Sequence, residues 1–192
     1  VPAISKKEEG VAMQILLSGG AGSGKSQLAE RLTVCCQEQP RYYFATMQVW
    51  DAECAARIAR HQQQRAGKGF QTIEVPYQLR QTAERLPAGG CGLLECVSNL
   101  LSNEQFEQQQ AHPADEILDG IAALSQRLDS LVIVSNEIFT DRKPRDAAMQ
   151  RYAQQLGKIN CALAADSDIV IEVSSGIPIL WKGADLFHAI LF

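Results

Sequence analysis

The chain carries no surplus of positive charge. Its 18 Lys and Arg are outnumbered by 22 Asp and Glu, for a formal charge of −4. No general attraction to nucleic acid or to an anionic bilayer is expected, and any phosphate binding must be local. There is no C-x-x-C pair. The six cysteines, Cys35, Cys36, Cys54, Cys91, Cys96 and Cys161, are scattered and no histidine cluster accompanies them, which argues against zinc. Several sit in apolar patterns and read as buried free thiols of a reducing cytosol, so a cytoplasmic location is expected. No apolar run approaches membrane-spanning length. Repeats and a domain linker are also missing. Residues 1–12 hold Lys6-Lys7-Glu8-Glu9 and no hydrophobic centre. They read as a flexible extension rather than a signal peptide, ahead of a single domain over residues 13–192.

What remains is the composition of one soluble globule: 192 residues, 46% hydrophobic and 21% charged. Short apolar runs alternate with helical patterns. Strands are expected at Gln14–Ser18, Tyr42–Ala45, Phe70–Val75, Cys91–Glu95 and Leu131–Val134. Helices are expected at Gln27–Gln37, Asp51–Arg65, Leu79–Leu86 and Val97–Glu107, then from Pro113 to Leu128 and from Pro144 or Arg145 to Ala165. Asp168–Val173 and Ile177–Trp181, around Ser175-Gly176, read as a hairpin. Such alternation implies parallel β-α-β units, whose ligands bind beyond the carboxyl ends of the strands. Polar residues gather at those ends: Thr46, Glu95, Asn136 and Glu137.

Between the first strand and first helix stands Gly19-Gly20-Ala21-Gly22-Ser23-Gly24-Lys25-Ser26, a G-x-x-x-x-G-K-S pattern. Backbone N–H groups converge on phosphates only where no Cβ intrudes, hence the glycines. Lys25 is placed to reach the β- and γ-phosphates and the Ser26 hydroxyl to ligate Mg²⁺. The plainer reading is a glycine-rich turn. With its flanks, the pattern points to an α/β fold like that of P-loop NTPases: a mostly parallel sheet flanked by helices, with a C-terminal antiparallel hairpin.

Glu95, at a strand end, suits the acid that holds Mg²⁺ beside such a loop; its alternative is a carboxylate that caps the next helix. Glu137 is a second candidate of the same kind. Arg57, His61 and Arg65, at i, i+4 and i+8, form one cationic stripe on a helix. Two guanidiniums suit triphosphate oxygens and disfavour imidazolium, leaving a neutral His61 as a possible nucleophile for phosphorus. The bland alternative is a surface histidine. His112 and His188 look structural. Glu74, in Thr72-Ile73-Glu74, can accept from the N1–H and N2–H₂ edge of guanine, or can be an exposed strand residue.

These pieces, in this order, resemble the bifunctional adenosylcobinamide kinase / adenosylcobinamide-phosphate guanylyltransferase family of cobalamin biosynthesis. The carrying residues are Gly19–Ser26, Ala45-Thr46, Asp51-Ala52-Glu53 through Arg57-Ile58 to His61 and Arg65, Thr72–Glu74, and Leu93–Cys96 with Asn103. Ser135–Glu137, Gly157–Asn160, Leu163–Asp166 and Gly176–Pro178 complete the set. The resemblance implies a kinase step, from ATP or GTP to adenosylcobinamide. It also implies a GMP transfer from GTP to adenosylcobinamide phosphate through a GMP–histidine, with the nucleophile at His61. Nucleotide-contacting positions fall on the loop with its Lys25, on Ala45, Thr46 and Met47, on Gln62, Gln63, Gln64 and Arg65, and on Glu74 and Glu95. It further implies a homotrimer. Gly22 stands where the family has arginine, and residues 138–144 and Lys158–Cys161 also depart from its pattern. The alternatives are a P-loop kinase for another small alcohol and a nucleotide-binding regulator without turnover.

Overall fold

The computed structural model describes residues 12–138 and 146–191. The Pro144 and Arg145 start expected for the long helix therefore lies outside the described residues, as does most of the N-terminal extension. Seven strands form one sheet, in the order β3-β2-β4-β5-β1-β6-β7. They are β1 (Met13–Ser18), β2 (Arg41–Ala45), β3 (Phe70–Glu74), β4 (Cys91–Glu95), β5 (Ser130–Val134), β6 (Ile169–Ser174) and β7 (Ile177–Lys182). Every neighbouring pair is parallel except β6 with β7, which closes as the expected hairpin. Its turn uses Ser175 and Gly176 at φ 51° and 80°, the left-handed pair that suits a two-residue hairpin loop.

The strands at the centre are apolar on both sides because both sides are covered. Alternate residues feed two cores. Ile15, Leu17, Tyr43, Leu93 and Val132 face helix α1 (Lys25–Cys35) and helix α7 (Ala184–Leu191). Leu16, Phe44, Leu94, Leu131 and Ile133 face the helices of the other layer: α3 (Leu79–Arg85), α4 (Val97–Ser102), α5 (Pro113–Arg127) and α6 (Ala147–Asp166). The C-terminal residues Ala184–Leu191 form α7, with Phe187 only 5% exposed against the sheet.

Several local expectations shift. Helix α2 (Ala52–Arg65) starts after Asp51, whose side chain accepts the Cys54 N–H at 2.7 Å. Asp51 is therefore the cap, not the first turn. Helix α6 is likewise capped by Asp146, which accepts from Met149 N. Helix α4 does not run evenly to Glu107; after Ser102 it widens into a π-turn, Asn103–Glu107. Cys91 and Cys96 are buried thiols as expected, but Cys161 is exposed on α6 and Cys35, Cys36 and Cys54 are half-buried. His112 stands at the N-cap of α5, ahead of Pro113 in its first turn, and His188 packs edge-on against Phe187.

Candidate functional site

The register of three parallel strands builds the site. Ala45 pairs with Glu74 on one side and Glu95 on the other. Residues in register share a face, so Glu74, Ala45 and Glu95 form a row at the carboxyl edge of the sheet. One pleat earlier, Tyr43 pairs with Thr72 and Leu93 and forms a second row on that face. Over these rows lies a cavity of about 470 Å³, walled by Tyr43, Glu74, Glu95 and Cys96 and, from α2, by Ile58, His61 and Arg65. Ala45, Met47 and Gln62 line it too.

The glycine loop abuts this cavity through Glu95. Gly19, Gly22 and Gly24 have φ of 143°, 72° and 94°, conformations that L side chains rarely adopt. At Gly19 a Cβ would stand 2.4 Å from the carbonyl oxygen of Val173. The loop is also gripped from outside, because the Gly176 N–H in the hairpin turn donates to the Ser23 carbonyl at 2.8 Å. Glu137 reaches the loop through its backbone N–H, which donates to the Gly19 carbonyl at 3.0 Å. Lys25 is 6% exposed and folds back, its Nζ donating to the carbonyls of Gly19 at 2.8 Å and Gly20 at 2.7 Å. Burial pushes this ammonium below its ordinary value, with Cys96 and the Glu95 carboxylate pulling the other way.

Ser26 donates its hydroxyl to Glu95 Oε1, and Tyr43 donates to Glu95 Oε2 at 3.1 Å. A hydroxyl and a carboxylate side by side at a helix start are hard oxygen ligands that fit Mg²⁺, with waters and phosphates completing its shell. Among the described residues no cluster of three or more His, Cys, Asp or Glu forms an all-protein metal cage.

On the helix side, Arg65 is 6% exposed and lies flat on Tyr43, its Cζ 3.3 Å from the ring centroid. Its Nη1 and the Nδ1 of His61 are buried with no hydrogen-bond partner among the described residues. Buried polar groups are normally paired, so two orphans beside one cavity mark a place built for a polar ligand.

The predicted residues divide accordingly. Lys25, Ser26, Glu95, His61, Arg65, Gln62 and Glu74 come together, with Gly20, Ala21 and Gly22 on the exposed rim of the loop. Thr46 is fully buried and turns away: its hydroxyl donates to the Cys96 carbonyl at 2.9 Å and accepts the Cys96 N–H at 2.7 Å. It shapes the wall rather than lining it. Gln63 is exposed and lies outside the lining. The side chains of Arg57 and Gln64 lie outside the described part of the structure, so the stripe is seen only at His61 and Arg65. Sequence reasoning missed Tyr43, although alternation puts it two residues before Ala45 on the same face. It also gave no role to Asn103, whose amide donates to the carbonyls of Thr46 at 2.9 Å and Pro76 at 2.8 Å.

The family model for cobinamide kinase / cobinamide phosphate guanyltransferase matches residues 15–180. The chain belongs to this family. It is 32% identical over 178 residues to the bifunctional adenosylcobalamin biosynthesis protein CobP of Pseudomonas aeruginosa, covering 91% of this chain and 100% of that protein. With the bifunctional adenosylcobalamin biosynthesis protein CobU of Salmonella typhimurium it shares 34% over 186 residues, covering 88% of this chain and 100% of that one. The CobU of Escherichia coli is similar at 32% over 185 residues. Among solved structures, a type III secretion ATPase resembles it with a TM-score of 0.51 and 8% identity, over 84% of this chain and 51% of that one. At that identity the likeness is one of fold alone. No helix of the described residues is long and apolar enough to cross a membrane.

Proposed function

We propose that this cobinamide kinase / cobinamide phosphate guanyltransferase family member runs both reactions of its family's name from the loop and cavity described above, with adenosylcobinamide and its phosphate as acceptors. The observation that carries the reading is the shared cavity: His61 and Arg65 line the same space as Glu95, which touches Ser26 of the loop.

In the kinase step the loop N–H groups and Lys25 hold the β- and γ-phosphates of ATP or GTP. Lys25 exchanges its bonds to Gly19 and Gly20 for phosphate oxygens. Ser26 and Glu95 would hold Mg²⁺, which supplies neutralising charge to the phosphates when bound. The acceptor hydroxyl attacks the γ-phosphorus, its proton passes to solvent water, and the bond to the nucleoside diphosphate breaks.

In the transferase step a ring nitrogen of His61 attacks the α-phosphorus of GTP. The bond to the β-phosphate oxygen breaks and pyrophosphate leaves, while Arg65 holds charge on the phosphates. A phosphate oxygen of adenosylcobinamide phosphate then attacks the same phosphorus, breaking the P–N bond and restoring His61. Glu74, on the cavity wall, accepts from the guanine edge.

The test uses two labels. GTP labelled at the α-phosphorus is expected to leave acid-labile label on the wild type and none on His61→Ala. Label from γ-labelled ATP is expected on adenosylcobinamide with both proteins. Transfer from the γ position without any label on the wild-type protein would leave a kinase alone and overturn the histidine mechanism.

A further inference from the structure

The loop half and the histidine half of the cavity meet at one side chain that the two reactions do not themselves require. Tyr43 is 5% exposed at the middle of β2. Its hydroxyl donates to Glu95 Oε2 at 3.1 Å, while the other oxygen of that carboxylate accepts from Ser26. Its ring carries the Arg65 guanidinium on one face, and Phe70 meets it edge-on, with centroids 6.3 Å apart and planes at 84°.

We propose that Tyr43 is a positioning residue that couples the two halves, its hydroxyl fixing the Glu95 carboxylate and its ring fixing the Arg65 guanidinium. The proposal rests on the reading above for what each half binds. The physical reasons are separate for the two ends. Held by Ser26 alone, the carboxylate would turn when that hydroxyl turns toward a metal. A second hydrogen bond from a buried, rigid ring keeps its plane set. A guanidinium laid flat on an aromatic face keeps its N–H donors in one plane, here leaving the Nη1 edge without a protein partner. Arginine otherwise has a long flexible stem to order, so the stack removes a cost that binding would carry.

The two ends can be cut independently. Tyr43→Phe keeps the ring and loses the hydroxyl; Tyr43→Leu loses both. GTP binding is measured by calorimetry with Mg²⁺ and with a chelator. For Tyr43→Phe the chelated affinity is expected to match wild type, while the gain from Mg²⁺ falls about tenfold. In the Glu95→Gln background Tyr43→Phe is expected to add nothing, because it acts through Glu95. Tyr43→Leu is expected to weaken chelated GTP binding as Arg65→Ala does. If Tyr43→Leu does not fold, the Phe and Gln pair carries the test. Independent, additive effects of Tyr43→Phe and Glu95→Gln would overturn the proposal, as would a Tyr43→Phe protein with the wild-type gain from Mg²⁺. A wild type whose GTP affinity ignores Mg²⁺ would overturn the reading of Glu95 and this proposal with it.

Discussion

The side-chain amide of Asn103 donates to the carbonyl oxygen of Thr46 at 2.9 Å. Its second proton goes to the Pro76 carbonyl at 2.8 Å. One buried amide thereby ties together the two segments that leave β2 and β3, and each segment supplies a wall of the cavity. Asn103→Ala strands two carbonyls, at about 1–3 kcal/mol each, and frees the walls to part. The expected outcome is a lower Tm together with a GTP KM raised about tenfold and a kcat close to wild type. Steady-state kinetics and thermal unfolding check it, and an unchanged KM would remove Asn103 from the account.

Arg65→Lys should separate charge from shape. Lysine keeps one positive charge but cannot lie flat on Tyr43 or present a planar fork. Affinity for GTP is expected to fall by about tenfold or more, since a single fork bond to phosphate is worth about 1.5–3 kcal/mol. The far-UV circular dichroism should be unchanged. Calorimetric titration of the two proteins decides it.

Gly19 and Gly20 are adjacent and make a matched pair. Alanine at Gly19 would put its Cβ 2.4 Å from the Val173 carbonyl oxygen at a φ of 143°, whereas at Gly20 nothing lies within 4 Å. Gly19→Ala is expected to cost about 3 kcal/mol in urea unfolding and to abolish nucleotide binding. Gly20→Ala should stay near wild type in stability. Equal stabilities for the two variants would contradict the close approach of Val173.

Glu104 gives a pH signature. It lies in the π-turn, is 3% exposed, and accepts the Gln78 N–H at 2.7 Å. Burial raises its carboxyl above the ordinary 4.5, with the Gln78 bond opposing. Between 4.5 and that raised value the folded protein binds more protons than the unfolded chain, so stability falls as pH rises through the window. Glu104→Gln keeps an oxygen for Gln78 and has no charge to bury. Its Tm relative to wild type is therefore expected to climb between pH 4 and pH 7.5, and a constant difference would refute the assignment.

How far the residues announced this arrangement depends on the distance over which each signal acts. The glycine loop, the strand ends and the hairpin were legible because φ > 0 turns and alternating apolar runs are local. Glu95 was legible for the same reason, as the last residue of an apolar strand. Tyr43 was not, because an aromatic in a buried strand reads as core. Its hydroxyl matters only once strand order brings Glu95 beside it and α2 lays Arg65 on top. Asn103 was hidden differently: an asparagine near a helix end usually caps its own helix, and here a widened turn points it at two loops instead. The Asp51 and Asp146 caps were open to reading, since a short acid before an alanine-rich helix is the usual N-cap signal, and helix α2 was begun one residue too early.

The Gly176-to-Ser23 bond gives the far edge of the sheet a stake in the loop. Strand β7 is an edge strand with Ile177 and Trp181 turned to solvent, yet the turn that begins it rests on the glycine loop. By reciprocity, whatever stiffens the loop stiffens the hairpin, and whatever pulls the hairpin away loosens the loop. The slowing of amide exchange at Gly176 is then expected to gauge loop occupancy, read from the hairpin side of the loop.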